Sequence, residues 1–254
     1  MTDVVFQVNI KGHRAKPQFD FSTMSWSKWC KSQEIEHFVL TEPIYDLEYM
    51  NANWHKFFVL ELLEEQGVDY NQVCIVDADT IVHPNCPNFF ELTDNKYAGV
   101  HQEGSMDWCG RSLEHFSRFV FDGFMIQYHL YINTGFQIFN KSHKDYLKGL
   151  VEWFHKNKDR LNQVFGKWNS TDQTCINFYR EEKELPMTIL PGCYNLQDMS
   201  RKNLMYYHPQ QWWTDELHFL KNGWIYHFNA IPPNPMNRDA NYWIDRTYKE
   251  LYNV

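Results

Sequence analysis

The chain has 254 residues, of which 43% are hydrophobic and 22% charged, and this is the composition of an ordinary globular protein able to bury a sizeable core. The formal net charge is −8. Because no cluster of lysines and arginines offsets it, we expect neither nucleic acid nor an anionic membrane surface as a partner. A phosphorylated ligand is possible if a cation neutralises it.

The cysteines and the N-terminus indicate the cellular compartment in which the protein is expected. The six cysteines are irregularly spaced and form no Cys-x-x-Cys pair, which disfavours a structural zinc site. The first residues lead into a strand-like run and not into a signal peptide, and no apolar stretch is long enough to span a membrane. We therefore expect a cytoplasmic protein with reduced thiols and no transmembrane segment.

The N-terminal part of the chain predicts strands alternating with helices. The predicted strands are Asp3–Ile10, Glu36–Leu40 and Gln72–Asp77, and the predicted helices are Ser22–Gln33 and Trp54–Gln66. Asn53 is the expected cap of the second helix, and Gly67 ends it. This order predicts an α/β fold in which helices wind around a parallel sheet.

Beyond the third strand the hydrophobic pattern is less regular. The predicted strands are Phe136–Phe139, Thr188–Leu190 and Trp224–Phe228, and predicted helices begin at Ser142 and Ser170 and cover Ala240–Tyr252. Ser142 and Ser170 each start a capping-box spacing. The aromatic-rich segment 103–129 predicts no element, and the prolines of 232–235 interrupt regular structure.

Two aspartates follow the third predicted strand, within Val73-Cys-Ile-Val-Asp-Ala-Asp-Thr-Ile-Val82. At i and i+2 of an extended chain, Asp77 and Asp79 would point to the same side. The C-terminal ends of parallel strands face the crevice where α/β sheets bind ligands. An Asp-x-Asp match is weak by itself, but its place after a buried strand favours a site for Mg²⁺ or Mn²⁺ over a solvated turn.

The Asp-Ala-Asp-Thr segment resembles the DxD signature of nucleotide-sugar glycosyltransferases with the GT-A fold. Three later segments, in the same order, are similar to blocks of the glycogenin-like and lipopolysaccharide galactosyltransferase-like retaining enzymes. They are Tyr131–Asn140 (YxNxGxxxxN), Thr171–Asn177 (DQxxxN) and Trp224–Phe228 (xxHF). The resemblance implies a Rossmann-like GT-A fold, with a mixed, mostly parallel central sheet flanked by helices.

The resemblance also implies the ligands of the metal ion. His227 would be the third ligand beside Asp77 and Asp79, although a histidine between aromatic residues is otherwise a common core residue. A neutral imidazole with two carboxylates suits Mn²⁺ somewhat better than Mg²⁺. The family continues with a Lys-Pro-Trp run, where this chain has Asn229-Ala-Ile-Pro-Pro, so the phosphate-binding lysine of that loop is missing.

Asn133, Asp172 and Gln173 are the predicted catalytic residues. By resemblance, Asn133, Thr134 and Gly135 would surround the donor sugar, Asp172 would contact it, and Gln173 would lie near its anomeric carbon. From the residues alone, Asn133 offers amide donors and an acceptor, and Gly135 permits close backbone approach. The structural alternative for Asn133 and Gly135 is a turn before a strand, and for Asp172 and Gln173 it is the capped start of a helix.

Three further residues complete the predicted substrate site. Asn9, at the end of the first strand, would contact the nucleobase or ribose. Lys56 would take the place of the missing phosphate-binding lysine, with a solvated lysine on a helix as the alternative. Ala78 lies between the two aspartates and would contact the same nucleotide diphosphate sugar.

The sequence therefore predicts a hexosyltransferase in one domain, 1–254, that uses Mn²⁺ or Mg²⁺. It would move a sugar, with retention, from a nucleotide diphosphate sugar, uridine-linked by the resemblance, to a hydroxyl of a carbohydrate or glycoconjugate acceptor. Residues 1–100 would form the nucleotide-sugar-binding half and 101–254 the acceptor-binding half. Segments 103–129 and 198–218 would select the acceptor.

Four alternatives are open at this level. An inverting transferase of the same fold would need a base such as Asp172, Asp107 or Glu103. A sugar nucleotidyltransferase would need a Gly-rich basic loop, which Lys11-Gly-His-Arg14 resembles only faintly. A metal-dependent hydrolase would use the same aspartates without an acceptor. A carbohydrate-binding protein without activity would use tryptophans such as Trp212 and Trp213.

Overall fold

The computed structural model describes residues 1–10, 18–104, 106–165, 172–200, 202, 204–205, 216–231 and 238–254. The strands are β1 (Thr2–Val8), β2 (Glu36–Leu40), β3 (Tyr70–Asp77), β4 (Thr80–Val82), β5 (Tyr97–His101), β6 (Ile132–Asn140), β7 (Met187–Leu190) and β8 (Ile225–His227). The helices are α1 (Phe19–Ser32), α2 (Val59–Glu65), α3 (Met106–Phe119), α4 (Lys144–Val164), α5 (Asp172–Glu182) and α6 (Ala240–Tyr252). In these ranges, none of the helices has the length and apolar character that crossing a bilayer requires.

A six-stranded sheet has the order β2-β1-β3-β6-β5-β7. β1 pairs in parallel with β2 and β3, and β5 pairs in parallel with β7. β6 is antiparallel to both of its neighbours, β3 and β5. Five strands therefore run in one direction and one against them, which confirms the predicted mixed, mostly parallel sheet.

The sheet is covered on both faces, because its strands bury consecutive residues on opposite sides. In β3, Val73 and Ile75 belong to one buried cluster, which contains apolar residues of α2, α3, α4 and α5. Cys74 and Val76 belong to a second cluster, which contains the tryptophans of α1. Strands buried on both faces read as continuous apolar runs, and this is why the first three strands were readily predicted.

Two predicted helix starts are wrong. Ala52–Phe58 forms a 3-10 helix before α2, and its cap is Asn51, whose side chain accepts a hydrogen bond from the backbone N–H of Asn53. Before α4 the chain forms a 3-10 helix, Lys141–His143, whose cap is Asn140; Ser142 lies inside it. A cap needs extended backbone and a side-chain acceptor; Asn140, at the end of β6, has both.

The segment 103–129, for which the sequence predicts no helix or strand, contains α3. Its buried face, Cys109, Ser112, Leu113 and Phe116, has helical spacing, but Ser112 weakens the apolar signal. Ala240–Tyr252 is a helix, as predicted. Several predicted features lie outside the described residues: the basic loop 11–14, the helix start at Ser170, the tryptophans at 212 and 213, and the proline run 232–235.

Candidate active site

A cleft of about 530 Å³ opens at one edge of the sheet. The C-terminal ends of β1 and β3 line it, and β6 contributes its N-terminal end because it runs in the opposite direction. Every residue of the predicted site lines this cleft: Asn9, Lys56, Asp77, Ala78, Asp79, Asn133, Thr134, Gly135, Asp172, Gln173 and His227. The strand ends thus bring together residues that lie far apart in the sequence.

A short β-ribbon places His227 beside the two aspartates. β4 and β8 pair antiparallel with Thr80 opposite His227, and the backbone N–H of Phe228 donates to the carbonyl of Asp79 at 2.9 Å. His227 Nε2 lies 3.1 Å from Asp79 Oδ1 and 4.0 Å from Asp77 Oδ2. One ligand atom from each of the three residues lies within 4.8 Å of the others.

Two carboxylates and an imidazole gathered this closely are a donor set that suits Mn²⁺ or Mg²⁺. Asp77, Asp79 and His227 are the residues that would hold such an ion. The side chains of Asp77 and Asp79 are 37% and 26% exposed, so both carboxylates are accessible from the cleft.

The three side chains perturb one another electrostatically. Burial raises the pKa of Asp77, although Lys56 acts in the opposite direction. Burial would also raise the pKa of Asp79, but the His227 ring outweighs it and holds that pKa below its usual value. Burial would lower the pKa of His227, but Asp79 outweighs it and raises that pKa. The group therefore favours an added positive charge, as a proton or as a metal ion.

Lys56 is buried beneath the cleft and is not a solvated lysine on a helix. Its Nζ lies 3.1 Å from Asp77 Oδ1 and 3.2 Å from Asp172 Oδ2, and donates to the carbonyl of Thr134 at 3.0 Å. Burial would lower the pKa of Lys56, but the carboxylates of Asp172 and Asp77 outweigh it and raise the pKa. An ammonium has three donors, and these three acceptors match them.

α5 begins with Asp172 and Gln173 directed toward β6. Asp172 Oδ1 accepts from Asn53 Nδ2 at 3.2 Å, and Oδ2 accepts from Thr134 Oγ1 at 3.4 Å. Gln173 Oε1 accepts from the backbone N–H of Thr134 at 3.4 Å. The first residues of α5 and the first residues of β6 thus form one hydrogen-bonded wall of the cleft.

The sequence prediction missed several polar residues of the cleft, among them Gln102, Asp198 and Asn53. Gln102 directly follows β5, so the strand-end rule that identified Asp77 could have found it once β5 was recognised. Asn53 stands before an amphipathic run, where the sequence predicts only a helix cap. Asp198 lies in irregular structure after β7; the sequence places it in the acceptor-selecting segment 198–218, but no local pattern singles it out.

No protein-family model matches the sequence, and no curated protein matches it significantly. Solved structures do match in fold. A glycosyltransferase involved in the glycosylation of the major capsid of PBCV-1 has a TM-score of 0.57 and 11% identity, with 100% of both chains covered. The glycosyltransferase GlyE of Streptococcus pneumoniae TIGR4 has a TM-score of 0.52 and 14% identity; this chain is covered in full but spans only 63% of that one. The chain has the fold of these glycosyltransferases, which confirms the predicted GT-A fold.

Proposed function

We propose that this chain is a metal-dependent glycosyltransferase that uses a nucleotide diphosphate sugar as donor. The observation that carries the proposal is the cluster of Asp77, Asp79 and His227, whose ligand atoms lie within 4.8 Å of one another. The cluster lies at the C-terminal end of a sheet strand, in a fold shared with glycosyltransferases. A divalent ion held there would supply the positive charge that a protein of net charge −8 needs to bind a diphosphate.

Asp77, Asp79 and His227 would hold Mn²⁺, or Mg²⁺, on the floor of the cleft. When bound, the ion would neutralise the diphosphate and stabilise the charge that develops as it departs. The ends of β1 and β3, with Asn9 and Ala78, would bind the nucleoside and the diphosphate. A cleft of about 530 Å³ is of the size that binds ligands of this class.

Asn133, Thr134 and Gly135 would form the wall against the transferred sugar, with Asp172 and Gln173 beside it. For Lys56 we propose a role other than phosphate binding. Because its Nζ contacts Asp77, Asp172 and Thr134, it would fix the metal ligand and the sugar-binding wall relative to each other rather than bind phosphate. Its positive charge also offsets part of the negative charge of the two carboxylates.

The contacts of the carboxylates favour retention of configuration. Asp107 and Glu103, two candidate bases for an inverting reaction, are not among the described residues that line the cleft; their carboxylates contact Arg111 and Lys202. The third candidate, Asp172, lies in the cleft but accepts from Asn53, Lys56 and Thr134. Asp198, a further carboxylate of the cleft, accepts from Gln102. We therefore propose that the departing diphosphate assists the acceptor hydroxyl on the same face of the sugar.

A panel of nucleotide sugars, assayed with and without Mn²⁺, tests the proposal. We expect metal-dependent release of the nucleoside diphosphate, coupled to sugar transfer when an acceptor is present. Asp77→Asn and Asp79→Asn should abolish this activity. Asp69→Asn is the matched control, because Asp69 is an exposed carboxylate paired with Lys141. Full activity in Asp77→Asn would contradict the proposal.

A further inference from the structure

The cleft extends along the ends of four neighbouring strands of the sheet. Its lining includes Asn9 after β1, Asp77 at the end of β3, Asn133 in β6 and Gln102 after β5, and the sheet order places these strands side by side. Adjacent strands are about 4.8 Å apart, so the end of β5 lies about 10 Å from the end of β3. A donor that spans β1, β3 and β6 therefore leaves the β5 end of the cleft for a second substrate.

The β5 end of the cleft carries buried polar groups that hold one another in place. Gln102 and Asp198 are 3% and 2% exposed, and Gln102 Nε2 donates to Asp198 Oδ2 at 2.5 Å. Gln102 Oε1 accepts from Asn133 Nδ2 at 2.9 Å and from Gln173 Nε2 at 3.1 Å. The β5 end and the proposed sugar-binding wall thus form one hydrogen-bonded network, which preorganises both for a hydroxylated ligand.

The position of Asp198 is fixed by its backbone and by its neighbours. Its φ is 50°, a left-handed conformation that aspartate and asparagine tolerate better than most residues. Its N–H donates to Asn229 Oδ1 at 3.0 Å. A Cβ at Gly104 would lie 1.6 Å from Asp198 Oδ2, so the glycine leaves the space that the carboxylate occupies. Strained backbone of this kind clusters at ligand-binding sites.

Trp108 provides an aromatic surface at the same end of the cleft. It lies in the first turn of α3, the helix that follows β5, and it lines the cleft. Its side chain is half-buried, because part of it packs against the core cluster on one face of the sheet. Tyr128 joins this turn to the strand end: its Oη donates to the carbonyl of Gln102 at 3.0 Å, and it is hydrogen-bonded to Cys109, which follows Trp108.

Phe19 is the other large aromatic residue among the described residues that line the cleft. It opens α1, the helix that follows β1, so the two rings belong to opposite ends of the row of strands. The cleft between them is lined mainly by amides, carboxylates and small residues. A nucleoside at the β1 end and a second ring-shaped ligand at the β5 end match this arrangement.

We propose that the acceptor is the terminal sugar of a glycan, bound with its C–H face on Trp108 and with hydroxyls other than the reacting one donating to Asp198. A sugar ring has an apolar face of C–H groups, which the electron-rich face of an indole attracts. It also has a rim of hydroxyls, and a carboxylate accepts several hydrogen bonds. A serine or threonine of a protein acceptor has no such C–H face. The transfer itself rests on the proposed function, whereas glycan binding at Trp108 is measurable without a donor.

A glycan array, read with the protein alone and with Mn²⁺ plus uridine diphosphate, tests the proposal. We expect binding to glycans that share one terminal sugar. With the best-bound glycan, Trp108→Leu should lower the affinity at least about tenfold, because tryptophans carry a large share of the binding energy at recognition sites. Trp108→Phe keeps an aromatic face and should lose less than about threefold. Asp198→Asn, which suits the left-handed backbone, should lose about tenfold because a carboxylate is a stronger acceptor than an amide.

Trp153→Leu is the matched control. Trp153 is also half-buried and packs against the same core cluster, but it stacks on Phe121 and is not among the described residues that line the cleft. Both tryptophan-to-leucine variants should unfold at a lower temperature, yet Trp153→Leu should bind the glycan as the wild type does. In transfer assays, Trp108→Leu should raise KM for the glycan at least about tenfold and KM for the nucleotide sugar less than about twofold.

An array on which no glycan binds in either condition would overturn the proposal. So would Trp108→Leu and Asp198→Asn variants that bind the glycan as the wild type does, or transfer to a protein hydroxyl with an unchanged KM in Trp108→Leu. If glycans bind through Trp108 but no nucleotide sugar is turned over with Mn²⁺, the proposed function fails, and the β5 end of the cleft stands as a carbohydrate-binding site.

Discussion

Lys56 and Asp172 form a buried ion pair, with Nζ 3.2 Å from Oδ2 and side-chain exposures of 3% and 4%. The same Nζ lies 3.1 Å from Oδ1 of Asp77. One ammonium therefore joins a candidate metal ligand at the end of β3 to a candidate sugar contact at the start of α5. Because a buried carboxylate without a counterion is costly, the geometry of the cleft floor depends on this lysine.

Lys56→Met should destabilise the protein by about 2–4 kcal/mol, because it leaves Asp77 and Asp172 close together without their counterion. Mn²⁺ should restore part of this loss in the variant, since the ion replaces a positive charge beside Asp77. Urea unfolding with and without Mn²⁺ measures both effects. The double variant Lys56→Met/Asp172→Asn should be more stable than the single one. Lys144→Met, which breaks the exposed pair with Glu64, is the control and should cost less than about 1 kcal/mol.

Gly135→Ala should weaken Mn²⁺ binding more than tenfold, because a Cβ at this position would lie 2.3 Å from Cε1 and 2.9 Å from Nδ1 of His227. The ring is 3% exposed, so it can move aside only by disturbing its neighbours. We expect a stability loss of about 1–3 kcal/mol. Gly110→Ala is the matched control: apart from its chain neighbours and the local backbone of α3, no described atom lies within 4 Å of its Cβ position, so the change should stabilise by up to about 1 kcal/mol. Equal Mn²⁺ affinities in the two variants would contradict the packing argument.

Mn²⁺ affinity should rise with pH and then level off. A proton and the ion compete for Nε2 of His227, and Asp79 raises the pKa of His227 above 6.5 against the effect of burial. Affinity should therefore increase by up to about tenfold per pH unit until the pH exceeds this raised pKa. The free energy of unfolding of the metal-free protein should change with pH in the opposite direction. The stability contributed by the protonated ring of His227 is present below pH 6.5 and is lost as the pH rises through the raised pKa. Calorimetric titrations over a pH series measure the affinity, and His227→Asn should bind weakly with a flatter profile.

Acidification should destabilise the fold through His37 in β2. Burial lowers the pKa of His37 from 6.5 to about 4, and its Nε2 has no hydrogen-bond partner among the described residues. As the pH falls below about 6.5, His37 binds a proton in the unfolded chain but not yet in the folded chain. The contribution of His37 to the free energy of unfolding is therefore fully present above that pH and is lost as the pH falls toward 4. The shift corresponds to at most about 3 kcal/mol, and we expect about 1–2 kcal/mol because the ring is partly exposed. Urea unfolding between these pH values should show a smaller loss in His37→Asn than in the wild type, and no such difference in the exposed control His129→Asn.

The parts of the site that the sequence predicted are those with a local signature. Asp77 and Asp79 follow an apolar run whose bounds differ from β3 by two residues. The start of β6 was missed as a strand, because Asn133, Thr134 and Gly135 interrupt the apolar pattern. These residues are nevertheless buried, since β6 lies between β3 and β5 and its polar groups bond to α5, Gln102 and Asn195.

The sequence alone determined that an α/β sheet forms and that two aspartates stand where one of its strands ends, because strand periodicity and the apolar-to-acidic transition are properties of neighbouring residues. The link between these aspartates and His227 came only from the resemblance to GT-A glycosyltransferases. Tertiary structure alone decided that Lys56 lies between Asp77 and Asp172, and that Asn195 faces the far side of His227. Those contacts join residues from separate strands, helices and loops, so they depend on the path of the whole chain. Spacing along the sequence carries no information about which buried polar groups will meet.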